Sequence, residues 1–292
     1  MAVHFNGLLL HVVMLLVGCT AGAQDACRQL AYGKAVIARV DSLSQAGLKL
    51  PDAGADIQVD AMGCEQVLYL INYAHELGAT GLAHRCFERL VAYGGLLPDE
   101  AAASNAVLTE MFHGSDSIGR RLSVQRLYPV FLAAHGERLE AMGRLQSMYN
   151  RDQAVRLLDA RSLGKGSNPD CPVAHQELAA AVDSMNFAEL LELCRRQGEL
   201  PLSDRYGWRA TGIVTTVLLH NGRRPNASQR WRAIWPYVAD AMRKCRVDER
   251  FLAVYDQAYF TLHGAQWFGT IEGLPGIPEV TATARRTTLA IE

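Results

Sequence analysis

The stretch VLYLINYAHELGATGLAHRCFERLVAYGG, residues 67–95, decides the fold class. Val67, Leu68, Leu70, Ile71 and Ala74 recur at helical spacing, Gly78 breaks the pattern, and Leu82, Cys86, Leu90 and Val91 resume it up to Gly94-Gly95. Two amphipathic helices joined by a short glycine turn make a hairpin. With the turn centred on Gly78, Cys64 should face a residue near Tyr93. Cys86 then lies about 10 Å further along the axis, at ~1.5 Å per residue, which disfavours a Cys64 to Cys86 bridge.

The same period extends in both directions. Leu30, Val36, Ile37, Val40 and Leu43 predict a helix over residues 26–46, stopped by Gly47, and a polar loop rich in Gly and Asp then runs to about Met62. Further helices are expected over 99–113, over 122–135 with a disturbance at Pro129, from Leu139 to Asp159, and from Val247 to His263. Gly212 to Leu219 is rich in β-branched residues, yet Tyr206, Ala210, Ile213, Val217 and His220 share one helical face, so this segment also reads as helix. Ser228 fits the N-cap of a helix carrying Trp231, Ile234 and Trp235. Long period-two alternation is absent. The expected fold is therefore all-α, with helical hairpins in an N-terminal region (19–138), a compact helical C-terminal domain (139–275) and a tail (276–292); from Gln266 onward the chain turns Gly- and Pro-rich and is expected to leave the helical pattern.

Composition points to a globular chain, with 49% hydrophobic and 20% charged residues. A net charge of −1 with scattered basic residues gives no electrostatic footprint for nucleic acid. The N-terminus carries an address instead. An apolar run from Leu8, too short to span a bilayer, ends at Leu16-Val17-Gly18-Cys19, which resembles the bacterial lipobox. That resemblance implies a signal peptide over residues 1–18, lipidation of Cys19, and membrane attachment through the lipid. Thr20 after the cysteine favours the outer membrane under the family's sorting rule. Ala21-Gly22-Ala23 before Gln24 fits ordinary signal cleavage and a soluble periplasmic or secreted chain, as the alternative.

Export brings the six remaining cysteines, Cys27, Cys64, Cys86, Cys171, Cys194 and Cys245, into an oxidising compartment. No C-x-x-C spacing suggests zinc or dithiol chemistry. Three cysteines fall on each side of a boundary near residue 140, so either one bridge crosses it or each half keeps a free thiol.

Polar residues on apolar faces mark the candidate site. Met142, Leu145, Met148 and Tyr149 define a stripe whose continuation reaches Asp152, Val155, Arg156 and Asp159. Unpaired buried charge is costly, so these groups should pair or line a wet cleft. His220 extends the face of Ile213 and Val217, and Asp256 is in line with Leu252, Tyr259, Phe260 and His263. The order Asp152-Gln153-x-x-Arg156, Asp183-x-x-Asn186, a helix with His220, Tyr255-Asp256, and Gln266-x-Phe268-Gly269-Thr270 resembles an uncharacterised domain of many bacterial secreted proteins and lipoproteins. That family usually has Tyr at the position of Phe268 and often Arg at that of Gln257. The resemblance covers about residues 140–272 and implies a shared polar site of Asp152, Gln153, Arg156, His220, Asp256, Gln266 and Thr270, without naming a reaction.

Two functions fit. One is a lipid-anchored module that binds a protein or ligand in the periplasm. The other is a hydrolase with Asp152 or Asp256 and His220 as acid and base and Arg156 steadying an anion. No G-x-S-x-G, H-E-x-x-H or phosphate-binding glycine loop supports a specific chemistry, and no cofactor is implied. Metal ligation by His220, Asp152 and Asp256 draws no support from their spacing. Asp152, Arg156, His220, Asp256 and Gln266 are expected to converge on one cleft.

Overall fold

The computed structural model describes residues 5–47, 56–97, 106–113, 117–162, 171–222, 224 and 226–291, with side chains from 25 onward except at 113, 117–118, 158–162 and 171–175. The side chains of Cys19, Asp159 and Cys171, and the segment 99–105, lie outside this set. Among the described residues the secondary structure is helical throughout. The helices are α1 (Phe5–Gln45), α2 (Cys64–Glu76), α3 (Thr80–Gly94), α4 (Ala106–His113), α5 (Ser117–His135), α6 (Leu139–Ser162), α7 (Cys171–Gln197), α8 (Ala210–Gly222), α9 (Ala227–Arg243), α10 (Leu252–His263) and α11 (Glu279–Thr288). None of them is long and apolar enough to cross a membrane.

The hairpin forms as its sequence dictates. Val67, Leu70, Ile71 and Ala74 of α2 meet Leu82, Cys86, Leu90 and Val91 of α3, all buried, in a core completed by α1, α4 and α5. Gly95 adopts the left-handed conformation at the end of α3, and the Leu96 amide closes the cap on the Leu90 carbonyl at 3.2 Å. The register is the expected one. Cys64 faces Gly94, next to Tyr93, its sulfur 3.5 Å from where a Cβ on Gly94 would sit, and Cys64 and Cys86 are separate buried thiols. Gln66 ties α2 to α1, accepting from the Gly63 amide at 3.1 Å and donating to the Leu30 carbonyl at 3.2 Å.

A second core gathers α6 to α10, including Leu145, Met148, Leu190, Ile234 and Phe268. The β-branched segment 212–219 is helix α8, with Ile213, Val214 and Val217 buried. Two features join the cores. Trp208 packs into the N-terminal core and donates its backbone amide to Gly94 at 2.9 Å, an approach that a Cβ on Gly94 would block at 2.9 Å from the Trp208 Cβ. Cys27 of α1 is bonded to Cys245 just after α9, so one disulfide does cross between the two halves.

Two expectations need correction. The tail is not simply irregular, because α11 folds back: the indole N–H groups of Trp235 and Trp267 donate to Leu289 and Ala290 at 2.7 Å, and Arg285 stacks 3.5 Å over Trp267. Pro278 precedes the helix and Glu279 opens it, a start signal that the surrounding glycines and prolines obscured. Helix α9 begins at Ala227 with Asn226 at its N-cap, two residues before Ser228, the expected cap.

Candidate polar site on three helices

The buried stripe of α6 runs Ala141, Leu145, Met148, Asp152, Val155, so a carboxylate occupies a core position. Asp152 is 3% exposed. Facing it, α7 presents Asp183 and Asn186 beside Val182, Phe187 and Leu190, with Asp183 only 2% exposed. Helix α8 ends in His220 and Asn221. Asn221 fastens α8 to α7 by donating to the Asp183 carbonyl at 2.8 Å, and Asn186 fastens α7 to α6 by donating to the Met148 carbonyl at 3.0 Å.

These fixed backbones bring the charges together. His220 Nδ1 lies 2.8 Å from Asp152 Oδ1 and 3.9 Å from Asp183 Oδ1. Arg156 donates to Asp183 at 2.7 Å and stands 3.6 Å from Asp152, while Gln153 donates to the other Asp152 oxygen at 3.1 Å. Arg224 forks onto Asp183 Oδ2 through Nε and Nη2. Burial opposes ionisation of Asp152, but the His220 hydrogen bond and the His220 and Arg156 charges outweigh it and hold the carboxyl below the ordinary aspartate range.

Arg230 completes the group differently. Its guanidinium donates to Asn221 Oδ1 and, at 2.8 Å, to Ser184 Oγ, both neutral, and it lies over the Phe187 ring. Burial and the Arg224 charge lower its pKa, with Asp183 pulling partly the other way. Three guanidiniums thus surround two carboxylates at one partly open edge of the domain.

The expected polar site of seven residues is therefore split. Asp152, Gln153, Arg156 and His220 meet; Asp256, Gln266 and Thr270 form a different unit. Asp256 is fully buried, and its two oxygens accept from the amides of Trp267 and Phe268 at 2.8 and 2.7 Å and from the amide and hydroxyl of Thr270 at 2.8 and 2.7 Å. Gln266 accepts from the Ile271 amide at 2.7 Å and donates to the Ile271 carbonyl at 2.9 Å. These groups saturate one another and fix the loop after α10, which brings Phe268 into the core. Their chemistry is that of a loop clamp, with no acceptor left for a ligand. Asp256 is accordingly not an acid or base beside His220.

The residue that takes its place is Asp183. It shows the same signal as Asp152, a carboxylate among Val182, Phe187 and Leu190 at helical spacing, and was legible only as part of the motif with Asn186. Asp152, Asp183 and His220 have ligand atoms within 4.8 Å of one another, the composition of a small metal site. The donor set argues otherwise. Both Asp183 oxygens already accept from Arg156 and Arg224, so a dication would sit beside two guanidiniums, and no step is assigned to a metal. No family model, no curated protein and no solved structure matches the chain.

Proposed function

We propose that the protein is a lipid-anchored binding module of the bacterial cell envelope, attached through Cys19, facing the periplasm at the outer membrane, and taking an anionic group at the α6–α8 site. The observation that carries the binding part is Arg230, a guanidinium beside Arg224 whose hydrogen bonds go to neutral oxygens. Planar guanidinium forks match carboxylate and phosphate oxygens, and an incoming anion would relieve the positive excess. The ligand is free or is borne by a protein partner. Calorimetric titration with inorganic phosphate and with short dicarboxylates tests this. Binding weakened about tenfold or more by Arg230→Gln is expected, a change of ~1.4 kcal/mol. Failure of every anion to bind, or equal binding by the variant, overturns it. The address is tested separately: Cys19→Ser should release the protein from the membrane fraction, whereas an unmodified mature chain starting at Gln24 would remove the anchor and leave the ligand reading intact.

A hydrolase is the second reading, favoured by the 2.8 Å contact of Asp152 with His220 Nδ1. A carboxylate on Nδ1 orients an imidazole so that Nε2 can take or give a proton. Turnover of ester or phosphoester substrates that disappears in His220→Ala would select this reading over simple binding.

A further inference from the structure

Between the two halves runs a cleft that the sequence did not foreshadow. Two adjoining cavities, of about 370 and 630 Å³, share Glu65, Tyr69, Thr211 and Thr215 as walls. Both volumes lie in the roughly 300–1,000 Å³ range of small-ligand sites. The Cys27–Cys245 disulfide stands at one side, so the walls are tied together covalently.

The carboxylates of this cleft are unequally paired, and its Arg209 lies over the Tyr149 and Trp208 rings. Arg246 forks onto Asp204 at 2.8 Å through two nitrogens and reaches Glu199 at 3.0 Å. Asp248 takes Arg250 at 2.8 Å and Lys34 at 3.4 Å. Glu65, an exposed carboxylate on the wall of both cavities, has no ion pair among the described residues. The neighbouring Thr211 hydroxyl oxygen accepts the Ser203 amide at 3.0 Å. Thr211 and Ser203 are both more than nine-tenths buried. Glu65 also lies in the first turn of α2, where an anion is favoured. Desolvation by the surrounding walls nevertheless raises its carboxyl, with Asp248 and Asp204 adding to the effect and the Thr211 hydroxyl and the Arg250 charge opposing it. Beside it Tyr69 keeps 59% of its surface exposed, and Leu30, Phe251 and Val254 supply an apolar wall.

We propose that this cleft is a second binding site, made for a small organic ammonium ion, with Glu65 as counter-ion and the Tyr69 ring as the aromatic face. An ammonium group gives Glu65 a direct ion pair, hydrogen-bonds its carboxylate, and sits favourably over an aromatic ring. A short alkyl chain on the same ion covers the wall of Leu30, Phe251 and Val254. The site is independent of the α6–α8 anion site and stands or falls without it.

Pentylamine, with pentanol as its neutral analogue, is the probe, titrated into the disulfide-intact mature chain and followed by calorimetry and by thermal melting. Pentylamine is expected to bind at least about tenfold more tightly than pentanol, to raise the melting temperature, and to do so equally in His220→Ala. Glu65→Gln should abolish the preference. Should that variant fail to fold, Tyr69→Ala, an exposed position, should weaken amine binding while leaving the fold intact. Equal binding of amine and alcohol, no binding of pentylamine, or unchanged amine affinity in the folded variant overturns the proposal.

Discussion

The two halves of the chain are held by different chemistry. The N-terminal core, from Val36 to Val124, is apolar, and the described buried polar side chains of this half are Gln66, used to join α1 to α2, and His135 at the end of α5. The C-terminal half buries Asp152, Asp183, Asn186, Ser203, Thr211, Asn221, Asp256 and Gln266. A small core gains stability from apolar area without polar groups, and each buried carboxylate must recover its lost hydration from partners. The N-terminal half therefore reads as scaffold. The C-terminal half carries polar groups in two states: a clamp in which every oxygen of Asp256 is satisfied, and a cluster at His220 whose guanidiniums exceed its carboxylates.

The largest effect expected from this contrast is at the clamp. Asp256→Ala removes the acceptor of three amides and one hydroxyl, and each buried donor left unpaired costs roughly 1–3 kcal/mol. A loss of about 4 kcal/mol or more should appear in urea unfolding followed by tryptophan fluorescence, because Trp267 sits in this loop and Trp235 of α9 is bonded to the tail. A loss below about 1 kcal/mol would show that the loop finds water instead and that the clamp reading is wrong. Next in size is the link between the halves. Cys27→Ser with Cys245→Ser opens a bridge that spans 218 residues, and losing a native disulfide typically costs roughly 2–4 kcal/mol. Two resolved transitions in the double variant would mean that the halves unfold as separate units once untied. A single unshifted transition would mean that the Trp208 and Gly94 contact suffices.

Smaller still is the polar tie inside the scaffold. Gln66→Ala loses two hydrogen bonds to backbone, and a net bond is worth about 1 kcal/mol, so a loss of about 2 kcal/mol is expected by the same urea measurement. A loss as large as that of Asp256→Ala would erase the distinction between an apolar scaffold and a polar half.

Much of this contrast was visible in the residues. The hairpin was legible because Gly78 and Gly95 punctuate a clean apolar period, and α8 because five positions agreed on one face despite its β-branched residues. Helix α11 was hidden, since its tie to the body runs through backbone carbonyls of Leu289 and Ala290, which leave no trace in side-chain pattern. The site was half legible for a related reason. A carboxylate on an apolar face announces that it needs partners, but not whether they are side chains, as for Asp152, or loop amides, as for Asp256. Disulfide pairing depends on how α1 crosses the end of α9, which no spacing encodes.

Titration sharpens the comparison with the smallest effects and opposes two buried groups. Asp152 has a folded pKa below its unfolded value of about 3.9, so its contribution to stability is fully present above that pH and is lost as pH falls through the folded value. His135, buried against Phe131 where α5 meets α6, also has a lowered folded pKa. Burial is the main cause and the Arg138 charge adds to it, while the Arg205 backbone and the Asp204 and Glu137 carboxylates pull the other way. The unfolded chain therefore takes up the proton first, and stability from His135 is complete above about pH 6.5 and declines as the pH drops below it. Urea midpoints should fall in two separate windows, one just below about pH 6.5 that His135→Phe abolishes, and one below about pH 3.9 that Asp152→Asn flattens. The order matters, because the upper window belongs to the junction of the halves and the lower one to the charge cluster. If His135→Phe leaves the upper window in place, a group other than His135 governs it.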